Sequence, residues 1–153
     1  MEKDFLNDYD EKVIALAQHL GIELEPDFNE EDYTEEDYTP EEIEEARTDA
    51  IAEVTNELDN IIDNCDNTYS YYREEYLVLT DEEADDVWDD SLENYIDEVI
   101  MPEIPKCYQS YFDRESWKRD AEYDGRGHSL SSYDGCEYEE EVNGTTYYIY
   151  RQS

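Results

Sequence analysis

Apolar residues in this chain recur with a helical period over three long stretches and alternate only near the end. Leu6, Tyr9, Val13, Leu16 and Leu20 are spaced 3, 4, 3 and 4 apart, one stripe of a helix from about Asp4 to Leu20, with Gly21 as its stop. Ile43, Ala46, Ala50, Val54, Leu58 and Ile61 mark a second buried face, ending near Asn64. Its start is written in Thr39 as cap, Pro40 at the first turn and Glu42 closing a capping box. Tyr69 to Leu79 reads as one Tyr-rich extended segment. Thr80, again with Glu83 three residues on, caps a third helix whose Ala84, Val87, Trp88, Leu92, Tyr95, Ile96 and Val99 face inward. Pro102 and Pro105 end it.

The last third changes period. A short helix is predicted over Asp113 to Glu122 with Trp117 and Ala121 inside. Then His128 to Tyr133, Cys136 to Val142 and Thr145 to Arg151 are predicted as strands, separated by Asp134-Gly135 and Asn143-Gly144. Asp-Gly and Asn-Gly are strong hairpin signals. The fold class expected is α+β: three main amphipathic acidic helices plus a short helix, packed on a small C-terminal antiparallel β meander. The division expected is an acidic, mainly helical region over 1–105 and a short helix with a three-stranded β module over 106–153, in one continuous domain.

Charge changes this picture most. The chain holds 47 acidic and 10 basic residues, a net charge of -37 in 153 residues. Residues 1–102 carry -32 of it and residues 103–153 only -5. Such a surface repels nucleic acid and anionic membrane and attracts basic surfaces, of which nucleic-acid grooves are the commonest large ones. Self-repulsion costs stability, which a homodimer or an elongated shape would relieve. Sixteen Tyr stand beside three Phe, giving apolar area with a polar tip that suits a wet, charged surface.

The third helix concentrates the charge. Asp81, Asp85, Asp89, Glu93 and Asp97 recur at i+4, with Glu82, Asp86 and Asp90 beside them. With Glu83 and Glu98, ten acids fall within 18 residues, about one per 2.7 Å of helix axis against about one per 1.7 Å for duplex DNA. A second acidic helix alongside would close that gap, and Glu41, Glu44, Glu45, Asp49, Glu53, Glu57 and Asp59 are available for it. Lys is nearly absent from residues 13–105, so i,i+4 ion pairs do not account for these rows. The residues expected to contact a partner are therefore Asp81, Asp85, Asp86, Asp89, Asp90, Glu93 and Asp97, then Glu41, Glu45, Asp49 and Glu53. Reversing Asp85, Asp89 and Glu93 to Lys is expected to abolish binding and leave the fold intact. A solubilising or halophilic surface is the plainer explanation of the same acids.

Other constellations are weaker. The tandem pentapeptide Glu30–Thr34 and Glu35–Thr39 is either an acidic loop or a strip of two Tyr and six acids for interaction. The stretch Asp124-Gly125-Arg126-Gly127-His128 is a Gly-permitted turn or, with Ser129 and Asp134, a polar binding corner. His19 sits at a helix end, where the dipole favours it. Lys106, Arg114, Lys118, Arg119 and Arg126 are expected to neutralise nearby acids. Asp63 to Glu74 is loop-like, but Thr68 stands where a calcium loop needs Gly. No catalytic motif, dedicated metal site or cofactor is expected. Cys65, Cys107 and Cys136 are expected to be part-buried thiols in a reducing cytoplasm, and the charged start shows no leader pattern.

Two resemblances follow from particular residues. Tyr111 to Asp124, with Phe112-Asp113, Trp117 and Arg119-Asp120, and the tail Tyr147-Tyr148-Ile149-Tyr150-Arg151, resemble the C-terminal part of ArdA-type antirestriction proteins. Tyr76 to Asp85 and Asp124 to Gly135 resemble segments of small phage-encoded proteins of no assigned activity. The first resemblance implies an elongated, often dimeric DNA mimic that blocks restriction enzymes; residues 1–105 do not follow that family's pattern. Charge and resemblance together give the expected function: a phage- or mobile-element-encoded DNA mimic. It would occupy the basic DNA-binding groove of a host nuclease, either a restriction-modification enzyme or a CRISPR effector. A basic nucleoid or recombination protein is the alternative partner, and an enzyme or ligand-binding protein centred on His128 and Asp124 a third reading.

Overall fold

The computed structural model describes residues 4–153 and is an α+β fold built on one five-stranded antiparallel sheet. A 3-10 turn over Asp4–Asp8 leads into α1 (Glu11–His19), and α2 follows at Pro40–Leu58. Three strands come next: β1 (Ile61–Asp63), β2 (Thr68–Tyr71) and β3 (Glu74–Thr80). Then α3 (Asp81–Tyr95), α4 (Arg114–Glu122) and α5 (Arg126–Leu130) precede β4 (Tyr138–Val142) and β5 (Thr145–Arg151). The spatial order is β1-β2-β3-β5-β4. The β3–β5 pairing, Tyr76 opposite Arg151 through Thr80 opposite Tyr147, ties the middle of the chain to its end. Three of the five strands thus lie within residues 1–105, the part expected to be mainly helical.

The sheet is covered on both faces, and strict alternation along β3 and β5 assigns the sides. Tyr76, Val78, Tyr147 and Ile149 pack with Ile14 and Leu16 of α1 and Val54 and Leu58 of α2. Leu77, Leu79, Tyr148 and Tyr150 pack with Ala84, Val87 and Trp88 of α3 and Leu130 of α5. Leu16, Leu58, Leu79 and Ile149 are fully buried, each contributing about 1.5–3 kcal/mol. The consequence for function is direct: α2 and α3 belong to opposite faces of the sheet and do not form one acidic surface.

Several boundaries differ from expectation for identifiable reasons. α2 stops at Leu58 because Ile61 is buried as the first residue of β1. The Tyr-rich segment is not one strand but the β2–β3 hairpin, turned at Tyr72 with φ 55. The loop-like Asp63–Glu74 stretch is likewise the β1–β2 turn and strand β2, its turn held by Asp63 accepting from the Cys65 amide at 2.8 Å. The capping box is complete at Thr80/Glu83, whereas at the second helix the Thr39 hydroxyl accepts from the Glu42 amide at 3.2 Å and the Glu42 carboxylate accepts from that hydroxyl, not from the Thr39 backbone N–H.

His128–Tyr133 is not a strand. Gly125 starts α5 there with φ 86, and Gly127 lies so close to the backbone of Cys136 and Glu137 that a Cβ would sit 2.7 Å from it. The meander is thus the β4–β5 hairpin, turned at Asn143-Gly144 as expected, added to the edge of β3 through β5. The three cysteines are exposed, not part-buried. No helix among the described residues is long and apolar enough to cross a membrane.

Candidate functional site

The i+4 row of the third helix is the best-paired set of carboxylates in the structure. α4 and α5 lay their cations along it in register. Arg126 reaches Asp81 at 2.8 Å and Asp85 at 3.0 Å. Lys118 reaches Asp89 at 2.9 Å and Glu93 at 2.8 Å. Arg114 reaches Glu93 and, just past the helix, Asp97, each at 2.6 Å. The expectation that the C-terminal bases neutralise acids is met by these three. The acids they neutralise are five of the seven put forward first as partner contacts. Their partners lie 17 to 45 residues away in sequence, so the scarcity of Lys in 13–105 says nothing about pairing.

This seam is partly buried. The Lys118 and Arg126 side chains are only 10% and 12% exposed. Arg126 also binds Glu137 at 2.7 Å and lies over the Tyr148 ring at 4.4 Å. Tyr150 donates to the same Glu137 at 2.5 Å. Hydrogen bonds from Lys118 and then Arg114 hold the Glu93 carboxyl below the usual carboxylate range, and Glu93 with Asp89 pushes Lys118 up. Reversing Asp85, Asp89 and Glu93 to Lys would set new cations against Arg126, Lys118 and Arg114, so that triple change is a test of the fold and not of an accessible surface.

What remains free on α3 is the adjacent row Glu82, Asp86 and Asp90, all exposed and without a side-chain partner among the described residues. Over Asp81 to Glu98, α3 and the turn after it, ten acids less the four paired cations (Lys12 bonds Glu83 at 2.8 Å) leaves a net of six charges, about one per 4.5 Å.

The second helix has the opposite character. Glu41, Glu45, Asp49 and Glu53 form an i+4 row, are all exposed, and none has a side-chain partner among the described residues. Arg47 is the one cation of that helix, paired with Glu44 at 3.0 Å and Glu30 at 3.6 Å. Seven acids and one base again leave six net charges, over about 28 Å of axis. Glu57 and Asp59 are engaged by Tyr71 and Tyr9 and do not contribute to the row.

The tandem pentapeptide ahead of α2 is ordered by its tyrosines. Phe28, Tyr33 and Tyr38 form a ladder with ring centroids 5.1 and 4.9 Å apart, and Arg47 lies 5.4 Å from the Phe28 ring. Its six acids, Glu30 to Asp32 and Glu35 to Asp37, are all exposed, with Glu30 3.6 Å from Arg47 and Asp37 accepting from the Thr34 hydroxyl at 3.2 Å.

The polar corner expected near His128 is divided. Asp134 is bound into its own turn, accepting from the Cys136 amide at 3.0 Å and lying 2.8 Å from Ser131 Oγ. Asp124, His128 and Ser129 instead line a cleft of about 410 Å³ beside Tyr95 and Trp117. His19 packs on Tyr138 at 4.7 Å, and burial lowers its pKa. Among the described residues no group of three or more His, Cys, Asp or Glu is placed to hold a metal ion. One signal for the neutralised row was present in the chain: Arg114 and Lys118 are themselves at i+4, complementary to the acid row. Compared with known proteins, the chain matches no family model, no curated protein and no solved structure.

Proposed function

We propose that this protein is a DNA mimic that binds the basic DNA-binding groove of a host defence nuclease, a restriction-modification enzyme or a CRISPR effector, and keeps DNA out. The observation that carries the reading is the unpaired row Glu41, Glu45, Asp49 and Glu53 on an exposed helix face. Unpaired like charges at i+4 each destabilise a helix by about 0.2–0.5 kcal/mol. The fold can neutralise such a row, as it does on α3, yet α2 receives only Arg47, which lies off the row. A surface needed only for hydration would do as well with mixed charge.

The contact surface is therefore centred on α2 and the acidic arch before it, with Glu82, Asp86 and Asp90 as a second ridge on the opposite side of the sheet. Two ridges facing away from each other suit a groove with basic walls on both sides better than a flat basic patch. Binding displaces the counterions held by the groove's Lys and Arg, so affinity falls steeply with salt.

The test is affinity capture from bacterial lysate at low salt, followed by elution with duplex DNA. Release of a nuclease or its complex by DNA and by moderate salt, and loss of capture when Glu45, Asp49 and Glu53 are changed to Lys, are the expected results. A partner indifferent to both salt and DNA would sink the proposal.

A further inference from the structure

The cleft between α3, α4 and α5 has a composition that the acidic ridges do not explain. Tyr95 and Val99 belong to the inward stripe of the third helix, yet they remain 48% and 46% exposed. The helix changes hydrogen-bond pattern there, running as a π turn over Ile96–Ile100. Such turns occur mostly as local insertions and often at functional sites. Tyr95 stacks on Trp117 with centroids 5.5 Å apart and planes 11° from parallel, and the pair is an aromatic wall of the 410 Å³ cleft over Leu92, edged by Asp124 and His128. Tyr95 also lines a shallower depression of about 470 Å³ edged by Asp90, Glu98 and Val99.

The charge around this wall is one-sided. Asp90, Glu98 and Asp124 are exposed, and their carboxylates have no partner among the described residues. Two of the three cations on α4 are already engaged, Arg114 by Glu93 and Asp97, Lys118 by Asp89, Glu93 and Glu115, and the third, Arg119, is exposed and does not line the cleft. An aromatic wall with unpaired carboxylates at its edge complements a planar cation on an apolar stem. Guanidinium meets both requirements, because it stacks on aromatic faces and forks to carboxylates, whereas ammonium is a strongly hydrated point charge.

We infer that the Tyr95–Trp117 cleft is an arginine pocket, which receives one Arg side chain from the basic partner and sets the register of a contact that charge alone leaves unspecific. The identity of the partner rests on the reading above; the pocket itself does not.

The experiment titrates N-acetyl-arginine amide, and its neutral isostere N-acetyl-citrulline amide, into the full chain at physiological salt. The indole N–H signals of Trp117 and Trp88 are followed by NMR. The arginine derivative is expected to shift Trp117 saturably, with citrulline weaker by about fivefold. Tyr95→Ala and Asp124→Asn, both at exposed positions, should each weaken arginine by about two- to fivefold. Asp49→Asn on α2 should change nothing. An unchanged thermal unfolding midpoint verifies that each variant is folded; Trp88, whose indole donates to the cleft residue Ser129 at 3.1 Å, serves as a second reporter of the cleft.

Equal binding of citrulline would make the cleft an apolar slot and overturn the proposal. So would an arginine response unchanged by Tyr95→Ala, which would mean diffuse charge attraction. A nuclease captured and released by DNA, with no response of Trp117 to arginine, would remove the pocket and leave the mimic. Arginine binding without any DNA-displaceable partner would do the reverse.

Discussion

α2 and α3 are built from the same pattern and put to different use. Each is an amphipathic helix capped by Thr, and each carries acids at i+4. On α3 the long row is a seam: Arg126, Lys118 and Arg114 occupy it, and α4 and α5 are held to the core through it. On α2 the row is left open to solvent. The difference does not lie in the helices themselves. It lies in what the chain brings opposite each of them: the cations of α4 and α5 in one case and, among the described residues, no cation against the row in the other. A count of charges along a helix therefore does not identify a binding face; the unpaired remainder does.

The strongest way to break this comparison is to remove the cation that closes the seam. Arg126→Gln leaves Glu137, 25% exposed, without its cation and with Tyr150 as its remaining donor, and strips the Tyr148 ring of its cation. Loss of one member of a largely buried pair costs about 3 kcal/mol. Urea unfolding should show that loss, and the Asp85, Asp89 and Glu93 to Lys triple should be at least as damaging. If both variants unfold at the wild-type midpoint, the α3 row is not structural and the distinction between the helices fails.

The complementary change acts on binding. Glu45→Lys, Asp49→Lys and Glu53→Lys together should weaken the captured partner about a hundredfold, read as a dissociation constant at fixed salt. Thermal stability should stay level or rise, because three cations lower the large net negative charge of the chain. Retained affinity would move the contact surface away from α2, towards Glu82, Asp86 and Asp90.

How much of this was legible beforehand follows the range of the interactions. The helices, their caps at Thr39 and Thr80, and the Asn143-Gly144 hairpin are local events, and local residues specify them. The β1–β2 hairpin was hidden because Ile61 continues the helical stripe of Leu58, and because Cys65, Asp66 and Asn67 make the turn with three successive positive φ angles that no Gly announces. α5 was hidden because Gly127 is required by the backbone of Cys136 and Glu137, a contact no local pattern encodes. The seam was missed for the same reason: Arg126 and Asp81 are 45 positions apart. Tyr95 and Val99 read as core because their spacing is that of core residues, and only the fold shows that they stay half exposed.

Acid and alkali should separate the two faces of the sheet. Glu93 is held low by Lys118 and Arg114, so its contribution to stability is fully present above the ordinary carboxylate value of about 4.3 and is lost as pH falls through its lower folded value. Glu93→Gln should flatten the acid limb of the stability curve below about pH 4. On the other face Tyr71 is pushed up to about 12, chiefly by its hydrogen bond to Glu57 of α2. Burial, and then Glu11, pushes Tyr147 up to about 12. Raised phenols stabilise the fold below the ordinary value of about 10, and that contribution is lost as pH rises from there towards 12. Ultraviolet titration of Glu57→Gln should show one tyrosine ionising earlier than in wild type. An unchanged titration would mean that the Tyr71–Glu57 bond does not anchor α2.

The smallest effect makes the sharpest contrast, because it is a single neutralisation made on each helix. Asp49 has Glu45 and Glu53 at i-4 and i+4 and no cation against it, so Asp49→Asn removes two repulsive pairs. The expected change is a gain of about 0.4–1 kcal/mol at low salt, shrinking as salt screens the row. Asp89 has the same neighbours, Asp85 and Glu93, but Lys118 bonds it at 2.9 Å. Asp89 is 58% exposed, so that pair contributes only about 0.2–1 kcal/mol. Asp89→Asn should therefore give no gain, or a loss of a few tenths of a kcal/mol, where Asp49→Asn gives a clear one. Chemical denaturation of both variants across a salt series measures the difference. Equal gains from the two would mean that Lys118 does not neutralise its row, and that α3 is as open to a partner as α2.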